Sequence, residues 1–160
     1  MEKELFKELL DREDIKKDAE LHFTIKACEI VINKYGGENT EWYISGPRNK
    51  DEESNKKTEV SLYRVRNNRI DKVLVICEYN SSKNKKTIST YKSSIPFRGI
   101  VGIEVDSKTI SINISTRQDK YGHLVPLTYN NEPFEKFHKI LIKKFDEYCD
   151  AEYKHLIDSN

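Results

Sequence analysis

Residues 58–79 read TEVSLYRVRNNRIDKVLVICEY, and this stretch decides the fold. Thr58 to Arg66 alternates, with Val60 and Leu62 on one parity and Tyr63 on the other, which is the period of a strand. Asn67-Asn68 then supplies a hairpin turn, because asparagine tolerates positive φ. From Asp71 to Tyr79 the run Val73, Leu74, Val75, Ile76, Cys77 is apolar on both parities. That pattern predicts a central strand covered on both faces.

Working outward, Glu41 to Ser45 predicts a short strand ending at Gly46-Pro47. Residues 49–57 are all polar and predict a mobile loop. Upstream, Ile15 to Tyr35 carries Ile15, Ala19, Phe23, Ala27, Ile30 and Val31 at helical spacing, closed by Gly36-Gly37. Residues 2–10 predict a first helix, with a charged break from Asp11 to Asp14 and Asp14 as the cap of the second.

Downstream, Asn80 to Lys86 is a second polar tip. Further strands are predicted at Thr87 to Tyr91, Phe97 to Val105, Thr109 to Ser115 and His123 to Tyr129. Ile110, Ile112 and Ile114 alternate with Thr109, Ser111, Asn113 and Ser115, so that strand has one dry face. Pro126 argues for a sheet edge. Asn130 or Asn131 caps a last amphipathic helix of roughly 25 residues, long enough to span one side of a small sheet. Phe134, Phe137, Leu141, Phe145, Tyr148, Cys149 and Leu156 form its apolar stripe.

Strands in succession joined by short turns pair antiparallel. The expected architecture is α+β: a mainly antiparallel sheet of six or seven strands, with N-terminal and C-terminal helices packed together on one face. All 160 residues are expected to form one domain.

Composition excludes several classes. Lys and Arg number 28 against 27 Asp and Glu, a net charge of +1, which fits neither an acidic nucleic-acid mimic nor a generally basic coat. No apolar run is long enough for a transmembrane helix, and the N-terminus lacks the basic and apolar regions of a secretory signal. A cytoplasmic location without a membrane partner is expected. Cys28, Cys77 and Cys149 are odd in number and widely spaced, so they read as reduced core thiols rather than a disulfide framework or zinc site.

No motif carries recognisable chemistry. His22, His123, His138 and His155 form no pair at metal-ligand spacing. The triplet His22-Phe23-Thr24 has no matching second triplet, as a two-histidine phosphoesterase requires. Asp71 and Glu78 flank the central strand as acids of a magnesium nuclease do, but residue 80 is asparagine where that pattern needs lysine. Gly99-Ile100-Val101-Gly102 precedes no helix. No catalytic residue, metal ion or cofactor is expected.

Charge is distributed unevenly. Residues 41–99 hold 13 basic and 7 acidic side chains, a net of +6. Arg64, Arg66, Arg69 and Lys72 cluster around one hairpin turn, and Trp42 and Tyr63 are interleaved with them. Arginine and aromatic side chains are the types that binding hot spots favour. Trp42, Tyr63, Arg64, Arg66, Arg69 and Lys72 are therefore the candidate binding residues, the arginines expected to be exposed. Parity puts Arg64 and Arg66 with Val60 and Leu62 and opposite Tyr63, so one flat patch does not hold all of them.

The expected function is a small binding protein that occludes a macromolecular partner, a protein first. A toxin-neutralising immunity protein or a phage-type inhibitor of a defence enzyme is its concrete form. The alternatives are a nucleic-acid-binding module on strands 41–92, and a nuclease or phosphoesterase with an unfamiliar site.

Overall fold

The computed structural model describes residues 2–35, 42–105, 109–115, 120–126 and 131–158. Four strands, Tyr43–Glu52 (β1), Asn55–Val65 (β2), Arg69–Asn80 (β3) and Lys85–Pro96 (β4), pair antiparallel in the order β1-β2-β3-β4. The turn at Asn67-Asn68 forms where it is expected, although neither asparagine takes a positive φ, and it sets Val60 opposite Val75 and Leu62 opposite Val73.

β1 does not end at Gly46-Pro47. The chain bulges between Ser45 and Arg48 and rejoins the ladder. Gly46 takes φ +119°, and a Cβ there would lie 2.9 Å from the carbonyl oxygen of Glu59, so the bulge requires glycine. The expected loop at 49–57 is instead the end of a hairpin, with Lys50 opposite Lys57 and Glu52 opposite Asn55. These polar residues borrow their order from the neighbouring strand: β3 runs to Asn80, β2 follows it to Asn55, and β1 follows β2. The Ser81 amide donates to the Ser54 carbonyl (2.9 Å) and ties the two turns together.

The N-terminal helices are Glu2–Asp11 (α1), Glu13–Lys17 (α2) and Ala19–Tyr35 (α3). The second break, at Asp18, is one that periodicity does not reveal. The Asp18 carboxylate accepts a hydrogen bond from the Leu21 amide (3.1 Å) and caps α3. Asp14, the expected cap, pairs with Arg12 instead (2.8 Å). Phe6, Leu9, Ile15, Ile25, Cys28 and Ile32 pack against Ile44, Val60, Leu62, Val73 and Val75 of the sheet.

After a single 3-10 turn at Phe97–Gly99, the strands Ile100–Val105 (β5), Thr109–Ser115 (β6) and Lys120–Pro126 (β7) pair among themselves in a separate antiparallel ladder. The described strands thus form two sheets rather than the one expected. The facing of Ile110, Ile112, Ile114 and Asn113 lies outside the described side chains, as does His123.

The last helix is Asn131–Asp158 (α4). Its Phe137 and Leu141 pack with Tyr43, Tyr63, Ile70, Ile95, Phe97 and Ile100. Tyr43, Tyr63 and Ile70 stand on the parity opposite Ile44, Leu62 and Val73, so the N-terminal and C-terminal helices cover opposite faces of the four-stranded sheet. This corrects the one-face expectation. Both parities of β2 and β3 are apolar near their shared turn, and two dry faces need two covers. α4 covers only that turn end. Farther along, Leu74 and Ile76 of β3 stay half-buried, so the central strand is not closed on both faces along its length.

Candidate functional site

The six sequence-derived residues divide between two faces, and three of them are buried. Trp42 is 5% exposed, Tyr63 2% and Arg64 1%. This corrects the expectation of an exposed Arg64 with Trp42 or Tyr63 beside it. Arg64 follows its parity inward, to the α3 side. Its guanidinium lies 4.6 Å from the Trp42 ring centre and 5.0 Å from that of Tyr35. It donates from Nε (3.0 Å) and Nη2 (2.8 Å) to Oδ2 of Asp71, its neighbour across the ladder.

Arg66 and Arg69 meet the same carboxylate. Arg66 Nε donates to Oδ2 (3.1 Å) and Arg69 Nε to Oδ1 (3.0 Å). Burial pushes the Asp71 carboxyl up, but the bonds from Arg64, Arg69 and Arg66 outweigh it and hold the group below its ordinary value. Three cations on one anion leave a net positive turn, with the Arg66 and Arg69 side chains 37% and 42% exposed. Lys144 of α4 donates to Asn67 Oδ1 (2.9 Å) and fastens the helix to this turn. The sequence reading missed Asp71 as the hub. The signal was available, because a hairpin centred on Asn67-Asn68 sets Arg64 opposite Asp71.

Lys72 and Tyr63 stand on the other face. The Lys72 ammonium lies 5.6 Å from the Tyr63 ring centre. Together with Ser45, Gly46, Arg48, Glu59, Ser61 and Leu74 they line a depression of about 200 Å³. Partial burial lowers the Lys72 pKa, Arg48 lowers it further, and Glu59 opposes them. Glu59 faces Lys50 at 3.8 Å. Burial raises the Tyr43 and Tyr63 phenols, so both stay protonated.

β4 is the feature that sequence reasoning undervalued. The polar composition of Thr87 to Tyr91 suggested a short strand, whereas the ladder with β3 runs unbroken from Lys85 to Pro96. As an end strand of its sheet, β4 has β3 as its only ladder partner among the described residues. Every residue from Lys85 to Ser94 is exposed, on both parities, including Ile88 at 45% and Tyr91 at 57%. Protected edges carry a bulge, an interior proline, a very short strand or charged side chains, lysine above all. β1 has the Gly46-Pro47 bulge; before Pro96, β4 has lysines but no bulge or proline. The strand carries Lys85, Lys86 and Lys92 and no acidic residue.

Asp71 and Glu78 stand on opposite faces, and each is engaged, Asp71 by arginines and Glu78 by the Asn55 amide. The nuclease-like pairing therefore does not assemble. Cys28 and Cys77 are buried and their thiols are pushed up by burial, while Cys149 is exposed, against the core role expected of it. Among the described residues no cluster of His, Cys, Asp and Glu suits a metal ion, and no helix is long and apolar enough to cross a membrane. No protein-family model matches this sequence, and no curated protein does.

Proposed function

We propose that this protein is a binding protein that acts by occluding a macromolecular partner, and that the partner is a protein contributing a strand to β4. The observation that carries this reading is the long, unbroken, exposed edge from Lys85 to Ser94. An unpaired strand edge offers main-chain hydrogen bonds for affinity and alternate side chains for specificity. Ile88 lies on one face of that edge. Tyr91 lies on the other, opposite Leu74. The lysines select a partner segment of acidic character. In concrete form this is a toxin-neutralising immunity protein or a phage-type inhibitor of a defence enzyme, where docking is itself the activity.

The test is a proline scan of Thr87, Ile88, Ser89 and Thr90. Alternate residues of an edge strand point their N–H groups away from the sheet, and proline is tolerated there. The expected result is that the folded proline variants lose a partner that co-purifies stoichiometrically with the parent. A parent that retains no protein, or folded variants that bind as the parent does, overturns the reading. A salt-dependent shift of labelled single-stranded nucleic acid by the parent would transfer it to the basic, tyrosine-bearing strands 41–92.

A further inference from the structure

We propose that the depression bordered by Arg48 and Lys72 on the open sheet face is a binding site for the phosphate group of a small phosphomonoester. This goes beyond the docking of a protein on β4 and stands without it.

The geometry originates in the bulge. Gly46 and Pro47 displace β1, and Arg48 rejoins the ladder opposite Glu59. The strand departs from β2 just where Ser45 and Ser61 face each other, and the depression of about 200 Å³ opens there. Arg48 and Lys72 supply two positive charges to its wall. Ser61 and Tyr63 bring hydroxyl groups that are hydrogen-bonded to each other, and Leu74 brings an apolar surface.

The two charges are only partly compensated, by Glu59 across the ladder from Arg48. Among the described residues neither Arg48 nor Lys72 forms an ion pair. The one carboxylate in the wall, Glu59, has Lys50 as its ion-pair partner. Burial first, and repulsion by the Arg48 guanidinium second, destabilise the charged form of the half-buried Lys72 ammonium, and Glu59 offsets part of this. An oxyanion between the two cations relieves that repulsion and replaces lost hydration with charge-assisted hydrogen bonds. A guanidinium fork, an ammonium and hydroxyl donors suit an anion with several oxygens better than a carboxylate with two. The volume exceeds that of one phosphate, and Leu74 with the Tyr63 ring offers an apolar seat for a small organic group. Glu59 repels the anion and holds the affinity down.

Isothermal titration with inorganic phosphate, phenyl phosphate and acetate, at fixed ionic strength, tests the assignment. The parent is expected to bind both phosphates saturably, phenyl phosphate more tightly, and acetate more weakly than either. Arg48→Met and Lys72→Met each weaken phosphate binding by about tenfold, the usual effect of removing a hydrogen bond to a charged group. Glu59→Gln tightens it. Circular dichroism confirms that the variants fold, which the exposure of Arg48 favours. No saturable binding by the parent, undiminished binding by both cation variants, or acetate binding equal to phosphate overturns the proposal. The variants leave β4 intact, so failure here leaves the protein-docking reading standing, and the reverse also holds.

Discussion

Arg64 and Asp71 face each other across the β2–β3 ladder and share two hydrogen bonds to one carboxylate oxygen, with both side chains almost closed to solvent. Desolvation of a buried pair commonly offsets its Coulomb attraction. Here the pair is embedded further, by Arg66 and Arg69 on the same carboxylate and by the Trp42 and Tyr35 rings beside the guanidinium. The hairpin's charge thus organises the end of the sheet where α3 and α4 converge from opposite faces.

Asp71→Asn leaves Arg64 buried without its anion. Breaking a buried pair from one side destabilises by about 3–5 kcal/mol. Arg66→Ala or Arg69→Ala removes a half-exposed partner, and each is expected to destabilise by under about 1 kcal/mol. Urea unfolding of the three variants checks the ranking. Equal losses would mean that taking the anion from the buried Arg64 costs no more than removing one half-exposed arginine.

The same carboxylate predicts a direction in acid. Its folded pKa lies below the ordinary value of 3.8. A group depressed on folding contributes stability that is complete above its unfolded pKa and is lost as pH falls through the folded one. The parent's urea midpoint should therefore drop as pH is lowered below about 4. Asp71→Asn, less stable at neutral pH, should show a smaller drop over the same interval. A parallel decline in both proteins would place the acid sensitivity elsewhere.

How far the sequence is legible depends on whether a residue's place is set by its neighbours along the chain or across it. The turn at Asn67-Asn68 is a local pattern and falls where it is read, whereas the helical stripe of Ile15 to Tyr35 holds only in part: the helix breaks at Asp18, and Phe23 and Ile30 are exposed while Leu21, Ile25, Cys28 and Ile32 are buried. Arg64 was harder. Parity put it on the side of Val60 and Leu62, but charge alone argued for solvent. Asp71 across the ladder, with the Trp42 and Tyr35 rings beside the guanidinium, makes burial tolerable. The apolar Leu74 and Ile76 suggested a covered face, yet what covers a face is a long-range matter, and α4 reaches only the end near Tyr43 and Tyr63. Asp18 is a single polar residue inside a helical period, and its capping role shows only in its bond to Leu21. For the candidate site, the basic aromatic composition was legible. The exposed β4 edge was not, because a strand held by its neighbour needs no apolar pattern of its own.

Residues 49–57 give a protease test in which composition and pairing disagree. Polar composition predicts early cleavage after Lys50, Lys56 or Lys57. The ladder holds these three in β1 and β2, whereas Lys83 lies in the exposed turn between β3 and β4. Proteases cut preferentially at exposed loop tips. Limited trypsin digestion followed by mass spectrometry should find cleavage after Lys83 before any after Lys56 or Lys57. First cleavage at the latter two would mean that the β1–β2 hairpin opens readily in solution.

α4 supplies the last test, because its apolar stripe runs farther than the surface it covers. A helix of 28 residues extends about 42 Å. Phe137 stacks on Tyr43 with ring centres 4.9 Å apart, and Leu141 is fully buried. Phe145 and Tyr148 still meet Phe97 edge-on. Beyond them Tyr153, Leu156 and Ile157 are more than half exposed. Burial, and not membership of the stripe, should set the energetics. Leu141→Ala is expected to destabilise by about 2–5 kcal/mol, the range for truncating a buried leucine. Leu156→Ala should stay within about 0.5 kcal/mol, as for a surface change. The comparison needs urea unfolding at two protein concentrations. A large loss for Leu156→Ala that shrinks on dilution would reveal that this end of α4 is covered in solution by a second copy of the chain.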